Sequence, residues 1–131
     1  MDTIGNFLTI IRNAVATSKF FTFARYSRMN HAIGKILKAE GFIKDIEIVE
    51  EEAGKKQLKI ALKYVGGESV IHSIDRVSKP SRRVYRKVKN FSPVIGGLGV
   101  SILTTNKGLM TDKRAKSKDA YVGGEVICTV W

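Results

Sequence analysis

Apolar residues in the first 17 positions recur at spacings of three and four: Ile4, Phe7, Leu8, Ile11 and Val15. That period predicts an amphipathic helix over 3–17, with Asp2 or Thr3 as its cap and Arg12 and Asn13 on or near its polar side. A short β-prone run, Phe20 to Ala24, follows. A second helix is predicted from Ser27 to Glu40, where Met29, Ile33, Ile36 and Leu37 make one stripe. Gly41 is its left-handed stop, and Phe42 is placed to fold back on the last turn. The period then changes to two. Ile46 and Ile48 alternate with Asp45, Glu47 and Glu50, while Leu58, Ile60, Leu62 and Tyr64 alternate with Lys59, Ala61 and Lys63. The polar segment Glu51 to Lys56 between them has the make-up of a hairpin loop, and acids on one strand can pair with lysines on the other.

Gly66-Gly67 marks a boundary. Beyond it the strand-like runs are short: Val70 to Val77, Arg83 to Val88, Val100 to Thr105 and Val126 to Trp131. Gly96-Gly97-Leu98-Gly99 and Gly123-Gly124 interrupt them, and one short helical piece is expected near Thr111 to Lys118. The pattern therefore predicts an α+β chain. Residues 1–65 form an N-terminal α/β lobe with two helices packed on a small sheet. Residues 66–131 form a C-terminal, mostly-β lobe with short helices.

Charge changes this picture more than composition does. A hydrophobic share of 44% supports a core, but 23 Lys and Arg against 12 Asp and Glu give a formal net charge of +11. Residues 1–65 carry a net +4 and residues 66–131 a net +7, so the second lobe is the stronger electrostatic footprint. An anionic membrane is a poor match, because the basic stretch holds Pro80 and β-branched Val84 and Val88 rather than a basic amphipathic helix. No apolar run approaches the ~20 residues needed to span a bilayer. The start Met1-Asp2 lacks the layout of a secretion signal. Cys128 is the single cysteine, so no disulfide can close within the chain, and a reducing cytoplasm fits.

The chemistry of the chain concentrates in two segments. Lys79 to Lys89 holds six cations and no acid, with Val84, Tyr85 and Val88 among them. A solvated tail would not need those apolar positions. The run therefore reads as a folded strand or turn presenting Lys79, Arg82, Arg83, Arg86 and Lys87 to phosphates. Tyr85 is either half-buried core or a platform for a ribose or base. The second segment, Thr104-Thr105-Asn106-Lys107-Gly108, sets small polar side chains after an apolar strand. It is either a plain β-turn or a donor and acceptor cluster for phosphates, 2′-hydroxyls and base edges. Lys113 to Lys118 is a third basic cluster. Catalytic patterns are missing: His31 has no ligand-spaced Cys or carboxylate, and His72 and Asp75 fall on opposite faces of a β-like segment. Cys128 lies in an apolar run, and no paired acids border the basic surface to hold ions for a nuclease. No cofactor, metal or small-molecule substrate is expected.

Several segments together resemble the eighth protein of the bacterial-type small ribosomal subunit. These are Asp2 to Ala14; Leu37-Lys38-Ala39-Glu40-Gly41-Phe42-Ile43; Arg76-Val77-Ser78-Lys79-Pro80 with Arg83-Val84-Tyr85; Gly97-Leu98-Gly99; Thr104 to Gly108; Met110-Thr111-Asp112; and Gly123-Gly124-Glu125 with Trp131. The resemblance spans essentially the whole chain. It implies a structural constituent of the small ribosomal subunit, bound to an irregular stem in the central domain of 16S-type ribosomal RNA early in assembly. Neighbouring small-subunit proteins are implied as partners, on cytoplasmic or organellar ribosomes. It further implies RNA contacts at Tyr85, Thr104, Thr105, Asn106, Lys107, Gly108, Gly124 and Glu125; Arg12 is offered to RNA from the N-terminal lobe. Thr104-Thr105-Asn106 stands where the family has Ser-Thr-Ser, and Arg25-Tyr26-Ser27-Arg28 where it has Pro-Ser-Ser-Lys. A repressor of its own messenger or a general RNA chaperone is the alternative within binding proteins, and a small nucleic-acid-processing enzyme the alternative outside them.

Overall fold

The computed structural model describes residues 3–87, 99–106, 108–118 and 123–131. The expected glycine turn at Gly96-Gly97-Leu98, the end of the basic run at Lys89, the Asp2 cap and Lys107 lie outside the described residues. The chain divides into two compact units, Met1–His72 and Ser73–Trp131. The architecture is mixed α+β: two helices with a three-stranded sheet in the first unit, and a mostly-β second unit with one short helix.

In the first unit α1 (Thr3–Ala16) buries Phe7, Leu8, Ile11 and Ala14, so its inward stripe sits slightly closer to Ala14 than to the expected Val15. Strand β1 (Phe21–Arg25) leads into α2 (Arg28–Ala39). Ser27 caps α2: its Oγ accepts a bond from the Asn30 amide at 3.0 Å, which satisfies an amide the helix itself leaves open. At the other end Gly41 takes φ 81°, and the Phe42 amide returns to the Leu37 carbonyl at 2.8 Å. The hydrophobic stripe extends to residues the pattern did not flag. Asn30 is buried, and Gly34 brings α2 down onto Ile46, whose side chain a Cβ there would strike.

Strands β2 (Ile43–Glu50) and β3 (Lys56–Leu62) form the expected hairpin, and the sheet order is β1-β3-β2. Its register places Glu47 opposite Lys59 and Glu50 opposite Lys56. The Glu47–Lys59 ion pair spans 3.9 Å, whereas Asp45 turns to Lys38 of α2 at 2.8 Å. Leu58, Ile60, Leu62 and Ile46 point to the helices. Gly66-Gly67 forms the tip of a small hairpin of β4 (Tyr64–Val65) and β5 (Glu68–Ser69), both glycines at positive φ.

The second unit is built on β10 (Gly123–Val130). One edge of β10 pairs along its length with β8 (Val100–Thr105), which in turn pairs with β9 (Gly108–Thr111). The other edge is shared by β6 (Ile74–Arg76) and β7 (Tyr85–Lys87). The expected strands over 70–77 and 83–88 are thus shorter than their apolar patterns. Helix α3 (Asp112–Lys118) sets Ala115 against Leu103, Met110 and Val126. Asp112 accepts from the Ser101 amide at 3.2 Å and Thr111 from the Arg114 amide at 3.2 Å, which fixes the helix start. Among the described residues no helix is long and apolar enough to cross a membrane.

Candidate nucleic-acid interface

Pro80 gives the basic run its shape. Lys79 and Arg82 exchange backbone bonds in both directions, Lys79 amide to Arg82 carbonyl at 2.9 Å and the reverse at 3.0 Å. Pro80-Ser81 is therefore the tip of a tight turn, where proline loses no needed donor. Lys79 and Arg82 are exposed on either side of that tip. Ser78, buried beneath it, accepts from the Val84 amide at 3.1 Å, and Val84 in turn accepts from the Val126 amide at 2.9 Å. These bonds hold the run along β10 and deliver Tyr85 and Arg86 onto β7.

Strand register then assembles separate stretches of sequence. One row across β7, β10, β8 and β9 reads Tyr85, Glu125, Thr104, Leu109; the next reads Arg86, Gly124, Thr105, Gly108. Directly opposed residues share a face, and successive rows alternate. Tyr85, Glu125 and Thr104 therefore lie on one face, and Arg86 and Thr105 on the other. Tyr85 is 69% exposed, so it is not half-buried core. Lys87 lies opposite Gly123 in the backbone ladder.

Glu125 and Arg83 answer each other. The Arg83 guanidinium donates to the Glu125 carboxylate at 3.0 Å, with the acid side chain 10% exposed and the arginine 48%. The sequence of the run shows no compensating acid, because that acid arrives from β10. A carboxylate so nearly buried needs its cation, so Arg83 carries a structural duty as well as a charge. Gly124 also has a structural cause. A Cβ there would collide with the Thr104 carbonyl, so glycine lets β10 approach β8.

The β8–β9 connection is tight. Thr105 pairs with Gly108, the Thr105 hydroxyl donates to the Gly108 carbonyl at 2.9 Å, and Asn106 stands exposed at the tip. Gly108 takes φ 105°, a conformation L side chains avoid. Turn chemistry and an exposed polar tip coexist in this segment. Arg12 is exposed on α1 in the first unit and is not among the residues these strand rows unite.

Cys128 is buried, and burial pushes its thiol up to about 12, against a smaller opposing pull from Arg76. Such a thiol is an inert core residue at neutral pH. Among the described residues no three His, Cys, Asp or Glu side chains gather to hold a metal ion. Ser73 bonds the Asp75 carboxylate at 2.7 Å.

The arrangement sets exposed cations, an exposed tyrosine and a polar turn on strands of one sheet. Comparison with known proteins agrees in extent. The family model described as Ribosomal protein S8 matches residues 2–131. The chain is 48% identical over 130 residues to the small ribosomal subunit protein uS8 of Rhodopseudomonas palustris (strain BisB5), covering 99% of this chain and 97% of the relative. It is 47% identical over 129 residues to the uS8 of Methylobacillus flagellatus, covering 98% and 96%. For the uS8 of Bradyrhizobium sp. (strain ORS 278) the figures are 46% over 130 residues, 99% and 97%. With a match running from end to end, the chain belongs to the ribosomal protein S8 family, a family of structural, non-enzymatic ribosome constituents.

Proposed function

We propose that this chain is a structural constituent of the small ribosomal subunit whose second unit docks on a central-domain stem of small-subunit ribosomal RNA and supports subunit assembly. The observation that carries the reading is the strand register: Tyr85, the Arg83–Glu125 pair, Thr104 and the Asn106 turn, distant in sequence, occupy adjoining places on one sheet. Regular A-form RNA hides its major-groove edges, so a sheet edge of this kind selects a stem whose irregular loop displays base edges that a regular duplex withholds. Lys79, Arg82 and Arg86 supply phosphate contacts, while Tyr85 and residues 104–108 supply shape and base contacts. Neighbouring small-subunit proteins are the other partners, and the ribosome is where the chain resides.

Binding of the full chain to the central-domain stem, measured against a regular duplex of equal length, tests this. Tyr85→Ala and Asn106→Ala are each expected to weaken stem binding by about 1–3 kcal/mol, the range for a stacked or bidentate contact, and to leave duplex binding nearly unchanged. Equal affinity of the parent protein for stem and duplex would sink the proposal. Displacement of the stem by the leader of its own messenger would add a regulatory role without changing the site.

A further inference from the structure

Strand β1 leaves one edge of the first unit's sheet open. It pairs with β3, and among the described residues no strand pairs with its other edge. The Leu62 amide donates to the Phe20 carbonyl at 2.9 Å, and in an antiparallel pair such bonds fall on every second residue. Phe20, Thr22 and Ala24 therefore turn their backbone groups to β3, and Phe21, Phe23 and Arg25 turn theirs to the open edge. The Asn30 Nδ2 donates to the Arg25 carbonyl at 3.5 Å, which leaves that oxygen a second lone pair. Between Lys19 and Arg25 the edge reads Phe-Phe-Thr-Phe-Ala, with no charge and no proline. Natural edges are blunted by charges, prolines or bulges, so an aromatic edge bare of them is a template for another strand.

The side chains decide which strand. Phe21, Phe23 and Arg25 point away from the helices, with Phe21 52% exposed and Phe23 51%. In the rows they share with β3 and β2, Asp45 and Glu47 balance Arg25 and Lys59, so this face has no net charge to draw a polyanion. The edge is self-complementary instead. When a second β1 runs antiparallel about a two-fold axis at Phe23, Phe23 faces the partner's Phe23 and Phe21 faces the partner's Arg25. Thr22 then meets the partner's Ala24 on the helix side. Every outward-turned residue meets another, so Phe21, Phe23 and Arg25 all find backbone partners. Each guanidinium comes to rest beside an exposed ring, and the two Phe23 rings form a cross-strand aromatic pair. A shift of two residues would set Arg25 against the partner's Lys19, and like charges directly opposite disfavour it.

We infer that β1 is a self-association edge: a second copy of this chain adds its own β1 antiparallel across Phe23, joining two three-stranded sheets into one. The contact lies within the first unit and uses none of the residues proposed to hold the stem, so it stands whether or not the second unit binds RNA. Each chain's net charge of +11 opposes the encounter. Added salt therefore strengthens this association, where it weakens RNA binding.

Backbone hydrogen exchange of the full chain without RNA tests this, read residue by residue at protein concentrations up to about 1 mM, where even a weak dimer is populated. The amides of Thr22 and Ala24, bonded to β3, are expected to be protected at every concentration. Those of Phe21, Phe23 and Arg25 are expected to gain protection as concentration or salt rises, in step with the dimer fraction from sedimentation equilibrium. A chain that stays monomeric throughout would overturn the inference, as would a dimer in which those three amides remain unprotected. Phe23→Lys sets two ammonium groups face to face at the axis and is expected to weaken the dimer about tenfold or more. Ile48→Lys, which adds the same charge at an exposed position on β2, is expected to leave it nearly unchanged. Equal loss from both variants would reduce the effect to net charge and overturn the pairing at Phe23. Protection of the three amides only after another small-subunit protein is added would give the edge to that protein and overturn self-pairing. Should a variant fold poorly, exchange on the unaltered chain decides alone.

Discussion

At Gly124 the missing side chain matters more than any present one nearby. Its position opposite Thr105 leaves no space for a Cβ against the Thr104 carbonyl, and a backbone atom cannot swing aside as a side-chain tip can. Gly124→Ala must push β8 from β10 at the very row that holds Thr105 and Arg86. A loss of stability of about 1–3 kcal/mol is expected, the usual cost of forcing atoms into a packed site. Thermal unfolding without RNA measures it. Weakened RNA binding at an unchanged melting temperature would instead make Gly124 an RNA contact and remove the packing explanation. The sequence marks this position as a Gly-Gly-Glu turn; only strand pairing reveals that the glycine is interior to a ladder. The same pairing turns Arg83 from one more cation into the partner of Glu125.

Elements whose causes are local were legible in the residues themselves. The second helix is an example: Ser27, its apolar stripe, Gly41 and Phe42 state its start, inward face and end, and each is found in place. The β2–β3 hairpin is another, since alternation and opposed charges fix both faces and register. What could not be read is set by distant partners. Asn30 looks polar yet is buried beneath the connection from β1, its Nδ2 reaching the Arg25 carbonyl at 3.5 Å. The strands flanking β10 shorten because two of them, β6 and β7, share one of its edges, a division no local pattern records. At the candidate interface the residue types were visible, but their side-by-side placement is a property of the register. The cap offers a test of the local part. Ser27→Ala removes the acceptor for the Asn30 amide and is expected to cost about 1 kcal/mol. Denaturant unfolding that shows no change would mean that another group already serves that amide.

Across the whole molecule the positive charge is not evenly shared. The unit Ser73–Trp131 has 12 basic and 4 acidic side chains, a net +8, whereas Met1–His72 has 11 and 8, a net +3. A field of that size draws any polyanion, so affinity alone cannot distinguish a specific stem from a bulk counter-ion effect. Salt dependence can. Every phosphate that a variant no longer neutralises lowers the slope of log K against log salt by about 0.7–0.9. Lys79, Arg82 and Arg86 are exposed on a turn and strand fixed by backbone bonds, so replacing all three by alanine leaves the fold intact. The triple variant is therefore expected to bind stem and regular duplex less tightly by similar factors. Its salt slope should fall by about 2–3. Tyr85→Ala, by contrast, should keep the slope and lose the preference for the stem. If the triple variant keeps the parent slope, those cations do not touch phosphate, and the polyanion surface must be sought elsewhere on the second unit.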